Sequence, residues 1–90
     1  MNRKLIKVFK ALSDSTRLDI VKNVFALKEI SCHDISLRFN LSQPTLSFHL
    51  NKLIDAGVIK VRKDGTSHIY SVDNAYFESM GFDFNKIFNN

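Results

Sequence analysis

Between Ser42 and Lys52 the chain sets out Ser42, Gln43, Thr45, Ser47, Phe48, His49 and Lys52: hydroxyls, an amide, an imidazole, an aromatic ring and one cation. The amide of a glutamine offers the paired donor and acceptor that adenine presents, a threonine hydroxyl reaches several bases, and an aromatic ring packs on the thymine methyl group. The same residue types do not assemble into catalytic machinery. Ser47 with His49, and Ser67 with His68, pair a hydroxyl with an imidazole, but neighbours that close in sequence do not face each other on a helix or strand. No Gly-rich phosphate loop and no paired catalytic carboxylates occur, so an enzyme is not expected.

A second group, Lys60, Arg62, Lys63, Thr66 and His68, flanks Asp64-Gly65, a dipeptide that marks a tight hairpin. Cations there would run along a phosphate backbone or enter a minor groove. Each feature also has a plainer explanation. Ser42, Gln43 and Pro44 serve equally well as helix-capping residues, and lysine on a strand edge deters aggregation. Phe48 is harder to explain that way, because a solvated helix face rarely gains from an aromatic ring.

These residues need elements to hold them. Leu5, Ile6, Val8, Phe9 and Leu12 recur at helical spacing over residues 2–12, and Leu18, Val21, Val24, Phe25 and Ala26 do so over residues 16–27, with Ser13-Asp14-Ser15 between. Ser31-x-x-Asp34 has capping-box spacing and opens a short helix with Ile35 and Leu37 inward, ending at Phe39. Asn40 then suits the left-handed turn into Ser42, which caps a longer helix with Pro44 in its first turn and Gly57 beyond its end. With about 100° per residue and Leu50 at the centre of the buried face, Leu46, Leu53 and Ile54 fall within about 60° of it. Thr45, Phe48 and Lys52 point outward, and His49 and Asn51 are marginal. Residues 58–62 and 66–72 read as the strands of the hairpin. Asn74 to Phe88 reads as a last helix, weakened by Gly81.

The order ααααββα is mainly α with a β-hairpin wing. A short helix joined by a tight turn to a well-capped one is a helix-turn-helix, so the expected fold is a winged helix-turn-helix over residues 1–90, one domain, with helix 43–56 in the major groove and wing 58–72 beside it. With 90 residues and a formal net charge of +4, the chain is basic enough for an acidic partner and too small for a second core. A hydrophobic share of 44% is too high for a disordered basic tail. The longest apolar run, Val24 to Leu27, is far short of the ~20 residues of a membrane span. Met1 to Lys10 interleaves Arg3, Lys4, Lys7 and Lys10 with apolar residues, unlike a secretory signal, and a cytoplasmic protein is expected. The terminal segments hold more apolar surface (Leu5, Ile6, Phe9; Phe77, Met80, Phe84, Phe88) than a core this small can cover, which predicts a homodimer through the first and last helices.

The stretches Ala11 to Ile20, Leu41 to Leu50, Leu53 to Ile59, Lys63-Asp64-Gly65 and Ile69 to Val72 resemble, in order, the ArsR/SmtB family of bacterial winged-helix repressors. The likeness spans Phe9 to Val72, and the Ser42-Gln43-Pro44-Thr45 opening with His49-Leu50 one turn later is its most specific part. It implies a homodimer, a double-stranded DNA operator with two half-sites, and dimerisation through the terminal helices. Many members sense metal through a cysteine-x-cysteine pair at the third helix, where this chain has Ser31 and His33 with Cys32 between. Consecutive Cys32, His33 and Asp34 diverge by about 100° each on a helix, which is awkward for the four-ligand set of a closed zinc site. A second family site on the last helix lacks its histidine here. The expectation is therefore no metal and no cofactor, and the residues name no inducer. Two alternatives stay open: a metal- or thiol-responsive sensor through Cys32 and His33, and a winged-helix protein-interaction module without specific DNA binding.

Overall fold

A computed structural model describes residues 3–88. The elements are α1 (Arg3–Leu12), α2 (Ser15–Leu27), β1 (Ile30–Ser31), α3 (Cys32–Phe39), α4 (Gln43–Asp55), β2 (Ile59–Asp64), β3 (Ser67–Val72), α5 (Asn74–Ser79) and α6 (Phe84–Phe88). The winged helix-turn-helix is present as the sequence led us to expect, with two additions. Ile30 and Ser31 form a short strand that pairs antiparallel with Tyr70 and Ile69, giving a three-stranded sheet of order β1-β3-β2. The last segment is two short helices instead of one.

The break at Gly81 has a local cause. Phe82 N–H bonds the Phe77 carbonyl at 3.0 Å, Gly81 N–H bonds that of Glu78 at 3.0 Å, and Gly81 has φ +88°. This is a Schellman motif, which ends a helix on a left-handed residue, and the usual apolar contact across it is the edge-on Phe77–Phe82 pair at 5.9 Å. Gly57 ends α4 the same way. Val58 N–H reaches the Leu53 carbonyl and Gly57 N–H that of Ile54, each at 2.9 Å, with φ +78° at Gly57. A Cβ there would also stand 3.2 Å from the Tyr76 ring.

The helix starts follow the sequence. Ser31 Oγ accepts from Asp34 N–H at 3.1 Å, and Ser42 Oγ accepts from Thr45 N–H at 3.4 Å. Asn40 turns between α3 and α4 at φ 49°. Asp14 caps α2, accepting from Arg17 N–H at 3.0 Å. That bond is the main reason the Asp14 carboxyl titrates below its ordinary value of 3.8; burial opposes the shift, and the positive charge of Arg17 and then the field of His49 reinforce it. Because the folded-state value is depressed, the cap stabilises the fold at neutral pH and loses that contribution as pH falls through it. Thermal melts of Asp14→Ala should show a lower melting temperature at pH 7 and a smaller difference from the parent near pH 3.

The core joins every helix to the sheet: Val8, Ile20, Val24, Ile35, Leu46, Leu50, Leu53, Ile59, Tyr70, Phe77 and Phe84 are all buried. Two of the phenylalanines expected at a dimer surface, Phe77 and Phe84, are core residues of the protomer. Their rings pack at 4.6 Å, and Phe84 also meets Phe25 edge-on at 5.6 Å. Leu37, expected inward, is instead well exposed, as α3 buries only Ile35 fully. Among the described residues no helix is long and apolar enough to cross a membrane.

Candidate nucleic-acid interface

Helix α4 is buried along Leu46, Leu50 and Leu53, and its other side is open. Ser42, Gln43, Thr45, Phe48 and Lys52 are exposed, and Ser47 is half-buried. At about 100° per residue, Thr45, Phe48 and Lys52 share a sector about 60° wide. The side chains in this region are already organised. Ser42 Oγ donates to Thr45 Oγ1 at 2.9 Å, and Gln43 Nε2 donates to Ser47 Oγ at 3.4 Å. Lys52 Nζ stands 5.5 Å from the centroid of the Phe48 ring, within cation–π range. Phe48 is 54% exposed, so a large apolar ring held beside a cation faces solvent from the middle of a well-formed helix.

His49 departs from the expected set. Its side chain is only 13% exposed, and it turns toward the α1–α2 junction. Nδ1 lies 3.3 Å from Arg17 Nη1 and 3.9 Å from Asp14 Oδ2. A guanidinium can only donate, so at the shorter contact Nδ1 is the acceptor. His49 therefore belongs to the support of α4 and not to its outward face. The helical angle gave warning, since His49 lies about 100° from the centre of the buried face, at its margin. Arg17 had no such signal: its bond to His49 spans 32 positions of sequence.

The hairpin turns one residue later than the Asp-Gly dipeptide suggested. Asp64 pairs with Ser67, leaving Gly65-Thr66 as the two-residue loop. Gly65 has φ +63° and Thr66 has no positive φ, as a type II′ turn requires. Register puts Lys63 opposite His68 and Arg62 opposite Ile69, so Lys63 and His68 share one face while Lys60 and Arg62 share the other. Lys60, Arg62, Lys63, Thr66 and His68 are all exposed.

Arg62 is not idle. Its Nη2 donates to Glu29 Oε2 at 2.7 Å, with side chains 57% and 55% exposed respectively. A pair this exposed contributes only about 0–1 kcal/mol, so a phosphate can displace the carboxylate. Glu29→Gln should therefore strengthen binding to random and specific duplexes alike, by about two- to fivefold in fluorescence anisotropy at low salt.

Cys32 is half-buried at the start of α3. Burial raises the Tyr70 phenol above its ordinary value, and contact with Cys32 adds to the shift. His33 and Asp34 beside it are exposed. Among the described residues no three His, Cys, Asp or Glu side chains group as a metal site would require.

A helix-turn-helix with an open polar and aromatic face on its second helix, and a basic hairpin following it, defines a winged-helix DNA-binding protein. Residues 14–61 match the family model described as bacterial regulatory protein, arsR family. The chain is 36% identical over 78 residues to the arsenical resistance operon repressor of Staphylococcus aureus, covering 87% of this chain and 74% of that one. Its fold matches HlyU from Vibrio cholerae N16961 with TM-score 0.80 at 26% identity over the whole of both chains. It matches the transcriptional repressor PagR of Bacillus anthracis with TM-score 0.73 at 27% identity, covering 86% of this chain and 87% of that one. The chain belongs to the ArsR family and is a DNA-binding transcriptional regulator.

Proposed function

We propose that the chain acts in the cytoplasm as a homodimeric repressor that reads a palindromic operator and occludes a promoter. Ser42, Gln43, Thr45, Ser47, Phe48 and Lys52 meet base edges and adjacent phosphates in the major groove. Arg62, Lys63, Thr66 and His68 follow the backbone or minor groove. The observation that carries this reading is Phe48, exposed beside Thr45 and Lys52 on a helix whose opposite side is core. The positive end of the α4 dipole beside Ser42 and Gln43 also favours a phosphate.

Support for the dimer comes from α1. Phe9 is exposed and meets Phe82 edge-on at 6.1 Å, so α1 and the terminal segment contribute to one surface. Leu5, Ile6, Phe9, Met80 and Phe88 are among the apolar residues of α1 and the terminal segment that the core does not take fully, as are Leu12, Phe82 and Ile87. A two-fold pairing doubles the net charge and presents two copies of α4 about 34–36 Å apart.

Selection from random-sequence duplexes with purified protein tests the reading. It supports the proposal if the recovered sequences share a two-fold symmetric motif. If no motif emerges and affinity is no higher than for mixed DNA, the fold is serving as a protein-interaction module.

A further inference from the structure

Arg17 makes more contacts than capping or solubility would demand. Nε donates to the Ala11 carbonyl at 2.7 Å, Nη2 reaches toward the Lys10 carbonyl at 3.5 Å, and Nη1 donates to His49 Nδ1 at 3.3 Å. The Ala11 carbonyl lies in the last turn of α1, which has no further turn to bond it; that of Lys10 already accepts from Ser13 Oγ at 2.8 Å and from Ser13 N–H at 3.4 Å. The backbone N–H of Arg17 is held by Asp14. One guanidinium therefore joins the end of α1, the start of α2 and the middle of α4.

We infer that Arg17 is a positioning residue for operator recognition: through His49 it fixes the orientation of α4, and with it the placement of Thr45, Phe48 and Lys52. This rests on the reading that α4 enters the major groove. The coupling is short, because His49 is adjacent to Phe48 and their rings meet edge-on at 5.5 Å. Recognition groups must be held within about 0.5 Å of their productive geometry by second residues whose own conformations are locked. A five-donor planar fork does this where a lysine, with one flexible point charge, does not.

The charges around His49 agree with that role. From the α1–α2 turn Asp14 faces it at 3.9 Å, and from α2 Arg17 faces it at 3.3 Å. On its own helix Lys52 is drawn over the Phe48 ring. From α1, Lys4 and Lys7 line a cleft with Asp55 and Asp73 at the other end of α4. Arg17 is thus the donor that Nδ1 meets.

The test uses the full chain and the operator that it selects. Dissociation constants for operator and random duplex are measured across a salt series for the parent, Arg17→Met, His49→Leu and His49→Asn. Asparagine retains an acceptor close to the position of Nδ1; leucine does not. Arg17→Met and His49→Leu should lower the operator-to-random affinity ratio about tenfold, with the salt slope and random-duplex affinity unchanged. His49→Asn should stay within about twofold of the parent. A salt slope reduced by ~1 with equal weakening on both duplexes would make Arg17 a phosphate contact and overturn the inference. Equal damage from asparagine and leucine, or no change in ratio with leucine, would also overturn it. Where Arg17→Met lacks a cooperative thermal transition, the two His49 variants decide. If the parent selects no operator, the recognition reading fails first and this inference goes with it.

Discussion

Phe77→Ala should be the most destabilising single truncation in the chain, at about 3–5 kcal/mol. The ring is 1% exposed and packs against Phe84 at 4.6 Å, Tyr76 at 5.4 Å and Phe82 at 5.9 Å. It also forms the apolar clasp of the Schellman motif that turns the chain into α6. Removing it leaves a cavity, frees Phe82 and loosens the seat of Phe84. A domain of this size has a total stability of only about 5–15 kcal/mol, and each kcal/mol shifts the melting temperature by about 4–8 °C. Circular-dichroism melts should therefore show a large fall. Phe9→Ala gives the contrast: its ring is exposed, so the loss should appear mainly in the concentration dependence of the melt, as for a residue at a subunit contact.

The second large effect concerns specificity. Gln43→Ala, Thr45→Ala and Phe48→Ala should each cost about 1–3 kcal/mol on the selected operator and leave random-duplex affinity nearly unchanged. None of them removes the cap of α4, because the capping acceptor is Ser42 Oγ and the Thr45 donor is a backbone N–H. Lys63→Ala should behave in the opposite way, weakening all duplexes equally and reducing the salt slope by ~1. The two patterns separate base contacts from phosphate contacts in one titration series. A Phe48→Ala variant that weakens operator and random DNA alike would contradict a role for the ring against a base.

The features legible in the sequence alone are those whose causes are local. Ser42, Pro44 and Gly57 carry their conformational preferences with them, so the limits of α4 were legible, as was the left-handed turn at Asn40. The outward position of Phe48 followed from helical periodicity. What was missed depends on distant partners. Leu37 looked buried by spacing, but a helix of eight residues has too little face to bury every apolar position. Ile30 and Ser31 become a strand only because Tyr70 and Ile69 lie alongside. By propensity alone Gly81 only weakens a helix; the bonds from Gly81 and Phe82 make it an end. His49 fell at the edge of the helical wheel, and only Arg17 and Asp14 decide which way it turns.

The same distinction applies to charge. A net +4 points to an acidic partner without saying which cation meets it. The structure divides the hairpin: Arg62 is engaged by Glu29, while Lys63 and His68 stand on the other face of the ribbon. The proposed repression would then rest on how two copies of this surface meet one duplex.

Methylation protection on the selected operator shows whether α4 enters the major groove. Dimethyl sulfate attacks guanine N7 in the major groove and adenine N3 in the minor groove, so it reports which groove α4 occupies. Two symmetric patches of N7 protection are expected about 10–10.5 base pairs apart, centre to centre, each weakened by Phe48→Ala. Protection confined to adenine N3, or no protection at any guanine N7 in a motif that contains guanine, would contradict major-groove entry.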